Sequence, residues 1–210
     1  PEFHEALDRK MKTINFPNLI YPVGDPLFVH VYRKPKEPIK YHVIEPELDD
    51  KEQELHEEIL DRMIDLAHKY PVPDQAEDME PVILKILEEV VEVIDEGKNS
   101  VMSVFLNKVK LTKQQYENIK YYIIRNRVGY GKLEPLFLDP YLEDMHCVGV
   151  GAMSCIHKVF EMVRTNIVFK DDLELNKYMV ETSERVERPV SDAKSVVDAI
   201  MPDGSRVNFI

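Results

Sequence analysis

Apolar positions along this chain follow two periods. Near the N-terminus they alternate: "LFVHVYR" (27–33) and "KYHVIE" (40–45) are short alternating runs joined by the proline-containing "KPKEPI". This is the pattern of a hairpin or of two edge strands. From Asp49 the period lengthens to that of a helix. Leu55, Ile59, Met63, Leu66 and Ala67 mark one apolar face after an N-cap at Asp49 or Asp50, and "YPVP" stops the helix. A second helix is predicted from Asp78, with Pro81 in its first turn. Its run "VILKILEEVVEVI" is apolar over more than half its circumference, and Gly97 serves as its stop. A third is announced by a capping box, Thr112 with Gln115. Its apolar face is Tyr116, Ile119, Tyr122 and Ile123, and Gly129 closes it. Beyond Gly129, turn residues separate short apolar runs. "HCVGV", "CIHKVF" and "NIVF" read as strands, and "DDLELNKYMVETSERV" reads as a helix capped by Asp171 or Asp172.

These patterns predict an α+β protein in three parts. Residues 1–47 form an extension with a β-hairpin, of which 1–3 read as a cloning scar outside the fold. Residues 48–128 form an antiparallel three-helix bundle. Residues 129–210 form a small mixed α/β sheet domain.

Charge changes this picture in one respect. The chain of 210 residues carries a net charge of −12, which argues against a non-specific nucleic-acid binder. The distribution is uneven: Glu45–Glu96 holds 19 acidic and 4 basic residues, and Lys98–Lys132 holds 8 basic and 1 acidic. Either the two faces meet each other or water, or the basic stretch meets phosphates or anionic lipid headgroups. No apolar run approaches the roughly 20 residues of a membrane span. Cys147 and Cys155 form no Cys-x-x-Cys pair and are expected to be reduced, buried thiols.

The chain carries no complete motif of the common catalytic classes. A phosphate-binding loop needs Gly-x-x-x-x-Gly-Lys-Ser/Thr after a strand. "EGKNS" offers Gly97-Lys98, but Glu92 stands in place of the first glycine and Asn99 in place of Ser/Thr. "GVGAMS" lacks the third glycine of a dinucleotide fingerprint. The histidines show no His-x-x-x-His spacing, His30 and His42 read as ordinary strand residues, and no metal site is expected. No complete catalytic set is present. What does stand out is Arg206, directly behind the turn Pro202-Asp203-Gly204. A guanidinium rooted there could offer a planar fork to phosphate oxygens, or could be an exposed or salt-bridged arginine at a strand start.

Three separated stretches, "YGKLEPLFLDPYLEDMHCVGVG", "TNIVF" and "RPVSDAKSVVDAIMPDGSRVNFI", resemble the N-terminal domain of the type II/IV secretion ATPase superfamily in its archaeal branch. The family pattern is Tyr-Gly-x-Leu-x-Pro-Leu, Asp-Pro, Glu-Asp-Ile, Gly-Arg-Pro, then Asp-Ala-x-Leu-Pro-Asp-Gly-Ser-Arg-Val. The match covers about residues 129–210. Here "AMSCIHKVFEMVR" replaces a Pro-Val-Tyr-Val strand, Glu187 stands where Gly precedes Arg-Pro, and Met201 stands for Leu.

The archaellum motor ATPase is the first choice within this superfamily, with a pilus or type II protein-secretion ATPase close behind. The resemblance implies a cytoplasmic hexamer at the inner face of the membrane. ATP and Mg2+ would be held by a C-terminal RecA-like domain that follows this chain, and the stretch seen here would bind neither alone. Arg206, and secondarily Arg188, would reach the γ-phosphate. The implied partners are that RecA-like domain, neighbouring subunits, a polytopic membrane platform and anionic lipid, but not nucleic acid. A second reading makes the chain a plain interaction module that docks through the basic third helix, by Lys113, Lys120, Arg125 and Arg127. A small-molecule sensor with a pocket in the α/β half is a third.

Overall fold

A computed structural model of the chain describes residues 1–73, 78–94, 108–189, 196–201 and 203–209. In chain order, β1 (Glu2–Phe3), β2 (Asn18–Gly24), β3 (Leu27–Tyr32) and β4 (Lys40–Ile44) precede α1 (Asp50–Ala67) and α2 (Met79–Val90). Then come β5 (Val91–Ile94), β6 (Val109–Thr112), α3 (Lys113–Arg127) and α4 (Glu134–Phe137). The chain continues through β7 (Leu142–His146), β8 (Gly151–His157), β9 (Glu161–Phe169), α5 (Asp172–Arg185), β10 (Val197–Ile200) and β11 (Arg206–Phe209). The class is α+β, with a mixed sheet, as the sequence pattern predicts. Two compact units result: Pro1–Ile44 with Pro135–Ile210, and Glu45–Glu134.

The first unit is built on a seven-stranded sheet in the order β1-β2-β3-β4-β9-β8-β7. Strands β2–β4 run antiparallel in sequence, as do β7–β9, and a parallel pairing of Lys40–Tyr41 with Arg164–Thr165 joins the two halves. The N-terminal hairpin is therefore half of the C-terminal sheet and not a separate extension. The physical reason is that two alternating strands bury one face and cannot shield it alone. Periodicity reveals which side chains face inward but not which strand lies alongside. Strand β2 is an addition to the expected pair. Pro22 interrupts its run, yet β1 pairs only with Leu19 and Ile20, so Pro22 needs to donate nothing on that side. Glu2–Phe3, set aside from the sequence as a scar, pairs parallel with Leu19–Ile20 and belongs to the sheet.

In the second unit, α1 carries the full capping box Asp49–Glu52, and α3 carries the one read from Thr112 and Gln115. The second helix ends earlier than its apolar run suggests. It stops at Val90, and Val91–Ile94 continues as a strand paired parallel with Val109–Thr112. Val91, Val93 and Ile94 are β-branched, stiff at χ1 and better placed on a pleated surface than in a helix. Among the described residues the unit is thus three helices with a small two-stranded sheet. Gly97, the expected stop, lies outside the described residues. An apolar cluster forms its core, drawing Ile59 and Met63 from α1, Ile86, Leu87 and Val90 from α2, and Ile119 and Ile123 from α3, with Val91, Val109 and Leu111 from the strands; buried polar atoms of Glu52, His56 and Glu92 also occur in this unit.

Candidate functional site

The structure places the two arginines singled out by motif on one surface. At the end of α5, Arg188 N–H donates to Ser183 O at 2.8 Å and Glu187 N–H donates to Glu184 O at 2.9 Å. This is the paired closure of a helix C-terminus, and it requires Glu187 to sit at φ +56. The position that the resemblance assigns to glycine is therefore one that glycine favours. The hairpin β10–β11 turns through Met201–Ser205. Gly204 is at φ +87, Met201 N–H donates to Ser205 O at 2.8 Å, and Ser205 donates to both oxygens of Asp203. Pro202 of this turn lies outside the described residues.

Arg206, the first residue of β11, pairs in register with Ile200. Together with Glu187, Asp198 and Ile200, Arg188 and Arg206 line an open concavity of about 770 Å3. Both arginines are exposed, and neither forms an ion pair among the described residues. The Asp198 carboxylate accepts from Asn208 Nδ2 at 2.8 Å. Two exposed guanidiniums, one at the strand start behind a turn and one at a capped helix end, can receive an oxyanion.

The basic third helix is not one surface. Lys113, Lys120 and Arg127 recur every seven residues and share a stripe about 21 Å long. Lys120 pairs with Glu117 at 2.6 Å on its own helix. Arg125 lies off the stripe. Its Nη1 meets Glu45 Oε1 at 2.6 Å, and its guanidinium lies 4.8 Å from the Tyr122 ring centre. The Tyr121 hydroxyl donates to the same Glu45 oxygen at 2.6 Å. Arg125 thus ties α3 to the segment before α1, which leaves Lys113 and Arg127 as the exposed members of the four.

A polar centre that the periodicity does not announce lies inside the first unit. The hydroxyls of Tyr21 and Tyr41 donate to Asp139 Oδ2 at 2.7 and 2.6 Å, and Tyr141 N–H donates to Oδ1 at 2.8 Å. His157 Nδ1 accepts from the amides of Val159 at 3.0 Å and Phe160 at 3.2 Å. Its proton therefore sits on Nε2, which donates to the Tyr21 oxygen at 3.2 Å. Asp139 is 4% exposed and His157 1%. Burial lowers the His157 imidazole to about 4 and raises the Asp139 carboxyl above its usual range against its three hydrogen bonds. Burial, reinforced by the Asp139 charge, pushes the neighbouring Cys155 thiol up to about 12.

Strands β2 and β8 are four spacings apart in the sheet, about 19 Å if it were flat. Contact between Tyr21 and His157 requires the sheet to curl on itself, and this network is the clasp. It is buried and its polar groups are partnered, so it holds the sheet in shape. The legible signal for it was the Asp139-Pro140 pair within the family pattern.

The two cysteines are free: Cys155 is buried as expected, but Cys147 is exposed, because "HCVGV" leaves the sheet after His146. No group of residues that could hold a metal ion occurs among the described residues. Nor is any described helix long and apolar enough to cross a membrane.

No family model matches the chain. It is 39% identical to the uncharacterized protein MJ0900 of Methanocaldococcus jannaschii over 216 aligned positions, which take in all of this chain and 39% of that protein. It is 31% identical to the uncharacterized protein MJ1288 of the same organism over 173 positions, 80% of this chain and 62% of that protein. The chain therefore spans about two-fifths and three-fifths of the lengths of these curated relatives.

Proposed function

We propose that this chain is the N-terminal, nucleotide-capping part of a hexameric ATPase of the type II/IV secretion superfamily, the archaellum motor being the member it fits best. In this reading a RecA-like domain of the longer protein grips ATP and Mg2+. Arg206 then supplies positive charge to the γ-phosphate, with Arg188 beside it, and hydrolysis is coupled to closure of the two domains. A membrane platform at the cytoplasmic face would receive the force. The observation that carries the reading is the convergence of Arg188 and Arg206. They stand eighteen positions apart within one motif stretch, yet they line one concavity, exposed and without ion pairs among the described residues. The length of MJ0900, of which this chain matches 39%, leaves room for a further domain.

The test is ATP turnover by the full-length protein. Arg206→Ala is expected to leave thermal unfolding unchanged and to cut turnover at least about tenfold, since arginines of this kind contribute about 10³ to 10⁵ in rate elsewhere. Turnover within twofold of the parent would remove the role assigned to Arg206.

A further inference from the structure

A second concavity opens on the solvent face of β2–β4, and the reading above does not use it. Strand β3 turns Val29 and Val31 inward and leaves His30 and Tyr32 outward. Strand β4 buries Tyr41 and Val43 and exposes His42, directly opposite His30 in register. The His30 and Tyr32 rings lie 4.7 Å apart with a 31° tilt, and His30 Nε2 is held by Asn18 Oδ1 at 2.8 Å. An aromatic shelf is therefore already formed. The chain then leaves β3 through Arg33 and Lys34. Arg33 Nε donates to Glu37 O at 3.1 Å, which fixes the guanidinium and leaves its terminal nitrogens available. Neither cation has an ion pair among the described residues. Phe16, 58% exposed, lines the same space, whose volume is about 610 Å3. Small-ligand sites occupy roughly 300–1,000 Å3.

A shelf of π-faces takes a planar ring, and two cations beside it take an anion. We infer that this concavity is a nucleotide site: a base stacks on the Tyr32–His30 shelf, and its phosphate meets Arg33 and Lys34. A single nucleotide suits the space better than a nucleic-acid strand, because a chain of net charge −12 repels a polyanion beyond the local patch. The inference stands apart from the Arg206 reading, and its test separates the two.

The test titrates the 210-residue chain with AMP, GMP, adenosine and inorganic phosphate while the His30 and His42 imidazole resonances are followed by NMR. AMP or GMP is expected to move both resonances and to bind at least tenfold more tightly than adenosine or phosphate. Tyr32→Ala should weaken nucleotide binding at least about tenfold, the scale of a lost base–aromatic stack. A combined Arg33→Ala and Lys34→Ala variant should reduce it to the adenosine level, and it tests the site even where Tyr32→Ala fails to fold. Arg206→Ala should change nothing here. Unmoved imidazoles, binding abolished by Arg206→Ala, or uptake of oligoadenylate or phosphatidylglycerol vesicles without uptake of AMP or GMP would each overturn the assignment.

Discussion

Leu87 and Tyr21 are both fully shielded from solvent, and their surroundings differ in kind. Around Leu87, in the unit Glu45–Glu134, the described neighbours in the core cluster are leucine, isoleucine, valine and methionine, which burial holds together. Around Tyr21, in the curled sheet, the interior contains a carboxyl, two phenols and an imidazole, each oriented by named partners. An apolar core tolerates rearrangement because dispersion is non-directional. A polar core holds one arrangement because every donor needs its acceptor. The comparison teaches that the sheet unit is specified more tightly by a few residues than the helical unit is by many.

One substitution in each core distinguishes the two. Asp139→Ala strips the acceptor from two phenols and an amide and should cost about 3–5 kcal/mol. Leu87→Ala opens a cavity and should cost about 2–5 kcal/mol. Urea unfolding followed by tyrosine fluorescence and by far-ultraviolet dichroism reads both. The Asp139 change should also shift amide resonances from β2 through β8, whereas the Leu87 change should stay near its cavity. Equal spread would dissolve the distinction.

A second test uses pH. His157 is neutral in the fold, and its value near 4 lies below that of a free imidazole near 6.5. The full stabilisation is present above pH 6.5 and is lost as pH falls toward 4, by up to about 3 kcal/mol. Asp139 has the opposite sign: its raised value makes the folded state take up a proton earlier than the unfolded chain, which offsets part of the loss. Unfolding midpoints at pH 7 and pH 5 should show a net fall that His157→Gln removes. A wild-type chain equally stable at both would contradict the clasp.

In the helical unit, Arg125→Ala should cost about 1–2 kcal/mol by breaking the partly buried pair with Glu45, while Lys113→Ala should stay within about 0.5 kcal/mol. Similar losses for both would return Arg125 to the surface set. The smallest effect has the reverse sign. Glu187→Gly should stabilise by about 0.5–1 kcal/mol, because glycine adopts the positive φ at the α5 terminus without steric cost. Thermal melts of the two chains side by side would show it.

Helix starts were the most legible features. Asp49, Thr112 and Asp171 cap as their side-chain chemistry dictates, since a cap is a contact within four residues. The end of α2 is not legible, because "EEVVEVI" satisfies helical periodicity and only its partner strand Val109–Thr112 makes extended backbone the better choice. The candidate arginines were legible from motif. That both line one concavity was not, because the hairpin β10–β11 brings together residues eighteen positions apart.

Short-range chemistry is written in the residues themselves: where helices begin, which faces are apolar, where turns fall, and that Arg206 follows one. Folding alone brings β1–β4 and β7–β9 into one sheet, lets Asp139 and His157 clasp it shut, and gives Arg125 its place in the fold. Those outcomes depend on contacts between residues about a hundred positions apart, as between Tyr41 and Asp139. Local pattern encodes a strand's inward face but not its neighbour, and a buried polar group is stable only once its distant partner arrives.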